Sequence, residues 1–171
     1  MRRLHPISWC LPREGGGAVN DIILLVEDNL DHAVLVQALL DYHGLGKHVT
    51  VTQSVAEAKS YLLGDWPFHE RGRHPRPNLI ILDHWLNDGT GLELLEWLAE
   101  RRELREIPVI VFTGCEDPAV RDQALALGAH DFLLKPGGYE DLGRAIETLV
   151  REGFVNRSPG GQEDSGSAKA G

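Results

Sequence analysis

The chain has 171 residues, and 17 Lys+Arg against 26 Asp+Glu leave a formal charge of −9. That length suits one globular domain with tails, and 42% hydrophobic with 25% charged residues is ordinary globular usage, which excludes wholesale disorder. The longest purely apolar run, Ile22 to Val26, falls far short of the ~20 residues that cross a bilayer, and the acidic balance argues against nucleic acid as a partner, since affinity there comes from neutralising phosphates with Lys and Arg.

Residues 1–20 contain Pro6 and Pro12, end in Gly-Gly-Gly-Ala-Val-Asn, and read as a flexible leader, not a signal peptide. Ile22–Val26 is the first run of strand length, and a helical segment follows it. Val49–Gln53 alternates as an edge strand does, and Ser54-Val-Ala-Glu57 behind it is a capping box that opens a second helix. The stretch Gly64 to Asn78 is longer than such connections usually are. Leu79–Leu82 and Val109–Phe112 are apolar at every position, like Ile22–Val26, as expected of central parallel strands covered on both faces. Asp117-Pro118 places an N-cap before a proline at the first helical position, Val120, Ala124 and Leu127 form one stripe, and Gly128 closes that helix. Asp131–Leu134 is the last strand, and Leu142, Ile146, Leu149 and Val150 line one face of the last helix. Residues 153–171 are small and polar and read as a flexible tail. The domain therefore spans 21–152: an α/β (βα)5 chain with a doubly wound parallel sheet and right-handed crossovers. Two cysteines, Cys10 and Cys115, give neither a disulfide framework nor zinc spacing, so a reducing, cytoplasmic setting is expected.

The informative residues stand just after the strands. Glu27-Asp28 follows the first, Asp83 the third, Thr113 the fourth and Lys135-Pro136 the fifth. In a doubly wound sheet, ligand sites lie beyond the carboxyl ends of the strands, where strand order reverses. Clustered carboxylates repel one another unless a cation is present, and a hard, oxygen-seeking ion such as Mg2+ resolves that repulsion. A carboxylate so placed can act as a nucleophile towards phosphorus, with Lys135 neutralising charge and Thr113 hydrogen-bonding a phosphoryl oxygen.

With Leu-Val-Glu27-Asp28-Asn29, Ile-Leu-Asp83, Phe112-Thr113-Gly114 and Gly128-Ala-His-Asp-Phe-Leu-Leu-Lys135-Pro136, the chain resembles the receiver domain of bacterial two-component response regulators over roughly Asp21 to Glu152. The resemblance implies a flavodoxin-like sheet of order 2-1-3-4-5, Asp83 as phosphoacceptor, and Mg2+ held by Glu27, Asp28, Asp83 and the main-chain carbonyl of Trp85. It further implies Thr113 and Phe132 as a switch pair, Lys135 as the clamp on the phosphate, and a cis peptide at Lys135-Pro136. Expected partners are a sensor histidine kinase of phytochrome type, a downstream protein or phosphorelay component, and a second copy of the chain; no membrane or nucleic acid is expected. No effector domain follows the last helix, so a stand-alone receiver is expected, an Mg2+-dependent phosphoprotein and not an enzyme in the turnover sense.

One departure is visible: Asn87 stands where the family usually has a proline, which leaves the shape of the loop after Asp83 open, while Gly91 is kept. Two rival functions share parts of this pattern. A haloacid-dehalogenase-type phosphatase needs a second Asp two residues after the nucleophile, where this chain has Trp85. A phosphorylation-independent adaptor would have lost acids, Thr or Lys that are all present. A dinucleotide-binding domain is excluded by Glu27-Asp28-Asn29 in place of a glycine-rich turn. The eight histidines show no ligand spacing, and none is assigned to a metal.

Overall fold

A computed structural model of the chain describes residues 22–45, 48–135 and 138–152. The expected leader (1–20), the tail (153–171) and the Lys135-Pro136 peptide bond lie outside the described residues. Five parallel strands make the sheet: β1 (Ile23–Val26), β2 (Val49–Thr52), β3 (Leu79–Leu82), β6 (Val109–Thr113) and β7 (Asp131–Leu134). Between β3 and β6 lie two two-residue strands, β4 (Trp85–Leu86) and β5 (Gly89–Thr90), which pair antiparallel with each other. The sheet order β2-β1-β3-β6-β7 is the expected 2-1-3-4-5 once that hairpin is left out of the count.

The helices are α1 (Leu30–Tyr42), α2 (Val55–Leu63), α3 (Gly91–Ala99), α4 (Pro118–Ala126) and α5 (Tyr139–Arg151). Side chains of a strand point alternately to the two faces, and the helices divide accordingly. Leu24, Val26, Ile80, Leu82, Val109 and Val111 pack against α2, α3 and α4. Ile23, Leu25, Leu79, Ile81, Ile110 and Phe112 pack against α1 and α5 through Ala33, Val36, Leu40, Leu142, Ile146 and Leu149. β1, β3 and β6 are buried at every position, which is why their sequences carry no alternation.

The capping signals are realised. Ser54 Oγ accepts from Glu57 N at 3.0 Å, while the Glu57 carboxylate reaches back to Gln53 N at 2.7 Å. Asp117 Oδ1 accepts from Ala119 N at 2.9 Å. Gly128, at φ 101°, takes the left-handed conformation that ends α4, donating to Leu125 O while Ala129 N donates to Ala124 O. The Gly64–Asn78 connection is tied down: Arg71 donates to the Tyr61, Leu62 and His74 carbonyls, Tyr61 Oη donates to Pro75 O, and Phe68 packs edge-on against Tyr61 and His74. Phe68 is buried, and Trp66 is 81% exposed.

The loop after β3 settles the question that Asn87 raised. It is an ordered hairpin with Trp85 opposite Thr90 and Leu86 opposite Gly89. Asp88 at its turn accepts from Val55 N at 2.7 Å and Ala56 N at 2.9 Å, fastening the hairpin to the start of α2. Gly91 then begins α3 so close to β3 that a Cβ there would lie 2.6 Å from Asp83 O, and its N–H donates to His84 O. Among the described residues, no helix is long and apolar enough to cross a membrane.

Candidate functional site

Parallel pairing carries the site residues to one edge of the sheet at one level. Just past the strand ends, Glu27 N donates to Thr52 O, Asp83 N to Val26 O and Lys135 N to Thr113 O. The strands therefore release Glu27, Asp83 and Lys135 side by side. Glu27, Asp83 and Lys135 are all buried, and Thr113 is fully so.

Lys135 joins the two acids. Its Nζ lies 2.5 Å from Glu27 Oε2 and 2.9 Å from Asp83 Oδ2, and 5.4 Å from the centre of the Phe112 ring. Burial alone would push this ammonium's pKa down, but the Glu27 and Asp83 carboxylates outweigh it and hold it above the usual lysine range. Asp83 Oδ1 accepts from the neighbouring His84 N–H at 2.6 Å. Both carboxylate oxygens of Asp83 are thus aimed and engaged. Glu27 Oε1 accepts from Asn29 N at 3.1 Å, which closes the turn leading into α1.

The remaining expected residues sit around this centre. Thr113 Oγ1 accepts from Cys115 N at 3.2 Å, leaving its own proton free to donate. Phe132 is buried among the side chains facing α2, α3 and α4. Asp28 is half-buried beside Glu27 and lies outside the tight cluster that Glu27 and Asp83 form. Trp85 leads the hairpin, 60% exposed and edge-on to the His84 ring at 4.5 Å.

Two histidines join the site, and neither was expected there. His84 is buried, and that burial lowers its pKa, with the nearby Asp83 charge acting in the opposite direction. His32, on the first turn of α1, turns its Nδ1 to within 3.5 Å of both Glu27 Oε1 and Lys135 Nζ. One donor atom each from Glu27, His32 and Asp83 lies within 4.8 Å of the others, the only such group of possible metal ligands among the described residues. The sequence signal for His32 is faint: Asn29 as N-cap fixes which residue of the first turn faces back towards Glu27.

The donor chemistry fits a divalent cation. Glu27 and Asp83 bring two negative charges to a buried spot where Lys135 brings one positive charge, so the cluster stays anionic. A pair of carboxylates, a hydroxyl and an ammonium converging on one strand edge suits a phosphoryl group bonded to a carboxylate oxygen.

Comparison with known proteins identifies the family. The family model described as response regulator receiver domain matches residues 23–147. A probable methanogenesis regulatory protein, FilR2, of Methanothrix harundinacea is 33% identical over 141 residues, covering 81% of this chain and 88% of that protein. Among solved structures, the bacteriophytochrome response regulator RtBRR aligns with a TM-score of 0.66 at 30% identity, covering 75% of this chain and 77% of that one. The Mn2+-bound form of response regulator Rcp1 aligns at 0.66 and 26% identity, covering 78% and 94%.

Proposed function

We propose, from the premise that the chain belongs to the response regulator receiver family, that Asp83 accepts a phosphoryl group from the phosphohistidine of a sensor kinase. An Asp83 carboxylate oxygen forms the new O–P bond as the donor's N–P bond breaks, and the electron pair leaves with the imidazole. The observation that carries this reading is the Lys135 ammonium 2.9 Å from Asp83 Oδ2, buried beside Glu27. It stands where the added negative charge would otherwise be uncompensated.

Glu27, Asp28, Asp83 and the Trp85 carbonyl are the groups that would hold Mg2+. Bound there, the ion neutralises charge on the transferring phosphoryl oxygens. The Thr113 hydroxyl, whose proton is free, donates to a phosphoryl oxygen in the modified state. Its shift away from Cys115 N alters the packing around Phe132 and so the surface formed by α4, β7 and α5. The bistable element is that Thr113–Phe132 pair, biased by the new charge on Asp83. The reaction is stoichiometric modification of the protein's own side chain, followed by hydrolysis, and not turnover of an external substrate. The bacteriophytochrome response regulator among the structural neighbours supports a phytochrome-type kinase as donor; the reading sets the reaction in the cytoplasm with a protein as the downstream target.

The test is incubation with a small phosphodonor and Mg2+, followed by intact-mass measurement, and then phosphotransfer from candidate histidine kinases of the same genome. Wild type gains one phosphoryl group, and Asp83→Asn gains none while keeping its folded circular dichroism spectrum. Phosphate found on any other residue overturns the assignment. Indifference to both Mg2+ and phosphodonor would make the chain an adaptor.

A further inference from the structure

The ends of α2 and α3 meet at the amino edge of the sheet, opposite Asp83, and the connections that follow them enclose an open groove of about 730 Å3. Buried Leu62 and Leu104 and the exposed Leu63 give it an apolar wall. Arg71, Arg76, Arg101 and Arg102 also line it, against a single carboxylate, Glu103. In a chain of formal charge −9, the local sign is therefore the reverse of the whole.

Neutral groups hold two of these arginines in place. Arg71 donates to the Tyr61, Leu62 and His74 carbonyls, and Arg101 donates to Trp97 O at 2.7 Å while lying 4.0 Å from the centre of the Trp97 ring. Carbonyls at a helix end carry only partial charge, so they orient a guanidinium without cancelling it. The carboxylates nearby are loose: Glu103 lies 3.6 Å from Arg76 and Glu100 lies 3.7 Å from Arg101, both acids well exposed to water. Pairs of that kind contribute little and exchange readily. Arg102 is exposed, with no ion pair or hydrogen bond among the described residues.

The chain's own end segments have no acidic excess to offer. Residues 1–20 carry three arginines to one glutamate, and in residues 153–171 Glu163 and Asp164 are balanced by Arg157 and Lys169. Small molecules are usually enclosed by their pockets, whereas an open groove suits an extended segment. Clustered arginines beside an apolar wall recognise acidic motifs, because each guanidinium fork matches a carboxylate. We propose that this groove docks an acidic segment of a partner protein, its carboxylates on Arg76, Arg101 and Arg102 and an apolar side chain against Leu63. Docking there leaves the Asp83 edge open, so one molecule can be phosphorylated and bound at once.

The experiment titrates the full chain into a fluorescein-labelled peptide, Glu-Glu-Leu-Glu-Glu-Leu, and follows anisotropy. Wild type binds saturably, and added salt weakens binding. The Gln-Gln-Leu analogue, and the Glu peptide with Arg76→Gln/Arg102→Gln, bind about tenfold more weakly or worse. Amide shifts of 15N-labelled wild type, which need no variant, move around residues 62–64 and 101–104 on adding the Glu peptide. No saturable binding, equal affinity for the Gln analogue, or shifts gathered elsewhere overturns the proposal. Displacement of the peptide by inorganic phosphate at equal concentration would make the groove a small-anion site and also overturn it. A wild-type dimer, seen by sedimentation, that the peptide or the paired substitution disperses would make a second copy the occupant and overturn the external partner.

Discussion

Asp83, Glu27 and Lys135 form an unequal charge set, two carboxylates to one ammonium, in a buried place. Their legibility came from position: each directly follows an apolar run, so the strand assignment alone sends them to one edge. The placement of the two histidines at the site was not legible. His32 depends on the rotation of the first turn of α1, which the Asn29 cap sets, and His84 on the backbone just past β3, where its N–H donates to Asp83; neither leaves a mark in the residue pattern. His84 has a measurable consequence. Its folded pKa lies below the ordinary 6.5, so between those two values the unfolded chain binds a proton that the native protein does not. Stability therefore falls as pH drops through 6.5 towards the lowered value. Urea midpoints measured on either side of that window fall on acidification in wild type, and His84→Asn flattens the fall.

At the scale of elements, the capping box at Ser54 and the Asp117-Pro118 start could be read directly because each is a contact between near neighbours in the chain. The hairpin β4–β5 could not be, since its anchor joins Asp88 to Val55 and Ala56, distant in sequence. An ionised side chain that serves two N–H groups at a helix N-terminus does the work of a second cap alongside Ser54. Asp88→Ala should lower stability by about 1–2 kcal/mol. Urea unfolding reads that loss, and a change of only a few tenths would show that Ser54 caps α2 alone. The long Gly64–Asn78 connection announced its length but not its packing: nothing local says that Phe68 turns in and Trp66 out, because that choice is made by Arg71 and Tyr61.

Across the whole molecule, one sheet is shared by two apolar layers, and neither layer has another surface to rest on. Strand order was reached through family resemblance, because runs apolar at every position reveal that a strand is central without naming its neighbours. The layers could be anticipated from the helical stripes, as with Leu142, Ile146 and Leu149. Truncating a buried leucine on either side, Leu94→Ala in α3 or Leu40→Ala in α1, should cost about 2–5 kcal/mol. Both variants should still unfold in a single transition by fluorescence and circular dichroism, since neither layer stands without the sheet. Non-coincident curves would mean that the layers unfold separately.

Among the described residues, two exposed tryptophans end up at opposite edges of that sheet. Trp85 follows β3 at the carboxyl edge, and Trp66 lies in the connection that leads back to the start of β3. The chain has four tryptophans, and these two give it optical reporters at both edges. Trp85 is in ring contact with His84, the neighbour of Asp83. Trp66, in water at the far edge, contributes a red-shifted emission that Trp66→Phe would remove, raising the share of the signal that comes from Trp85.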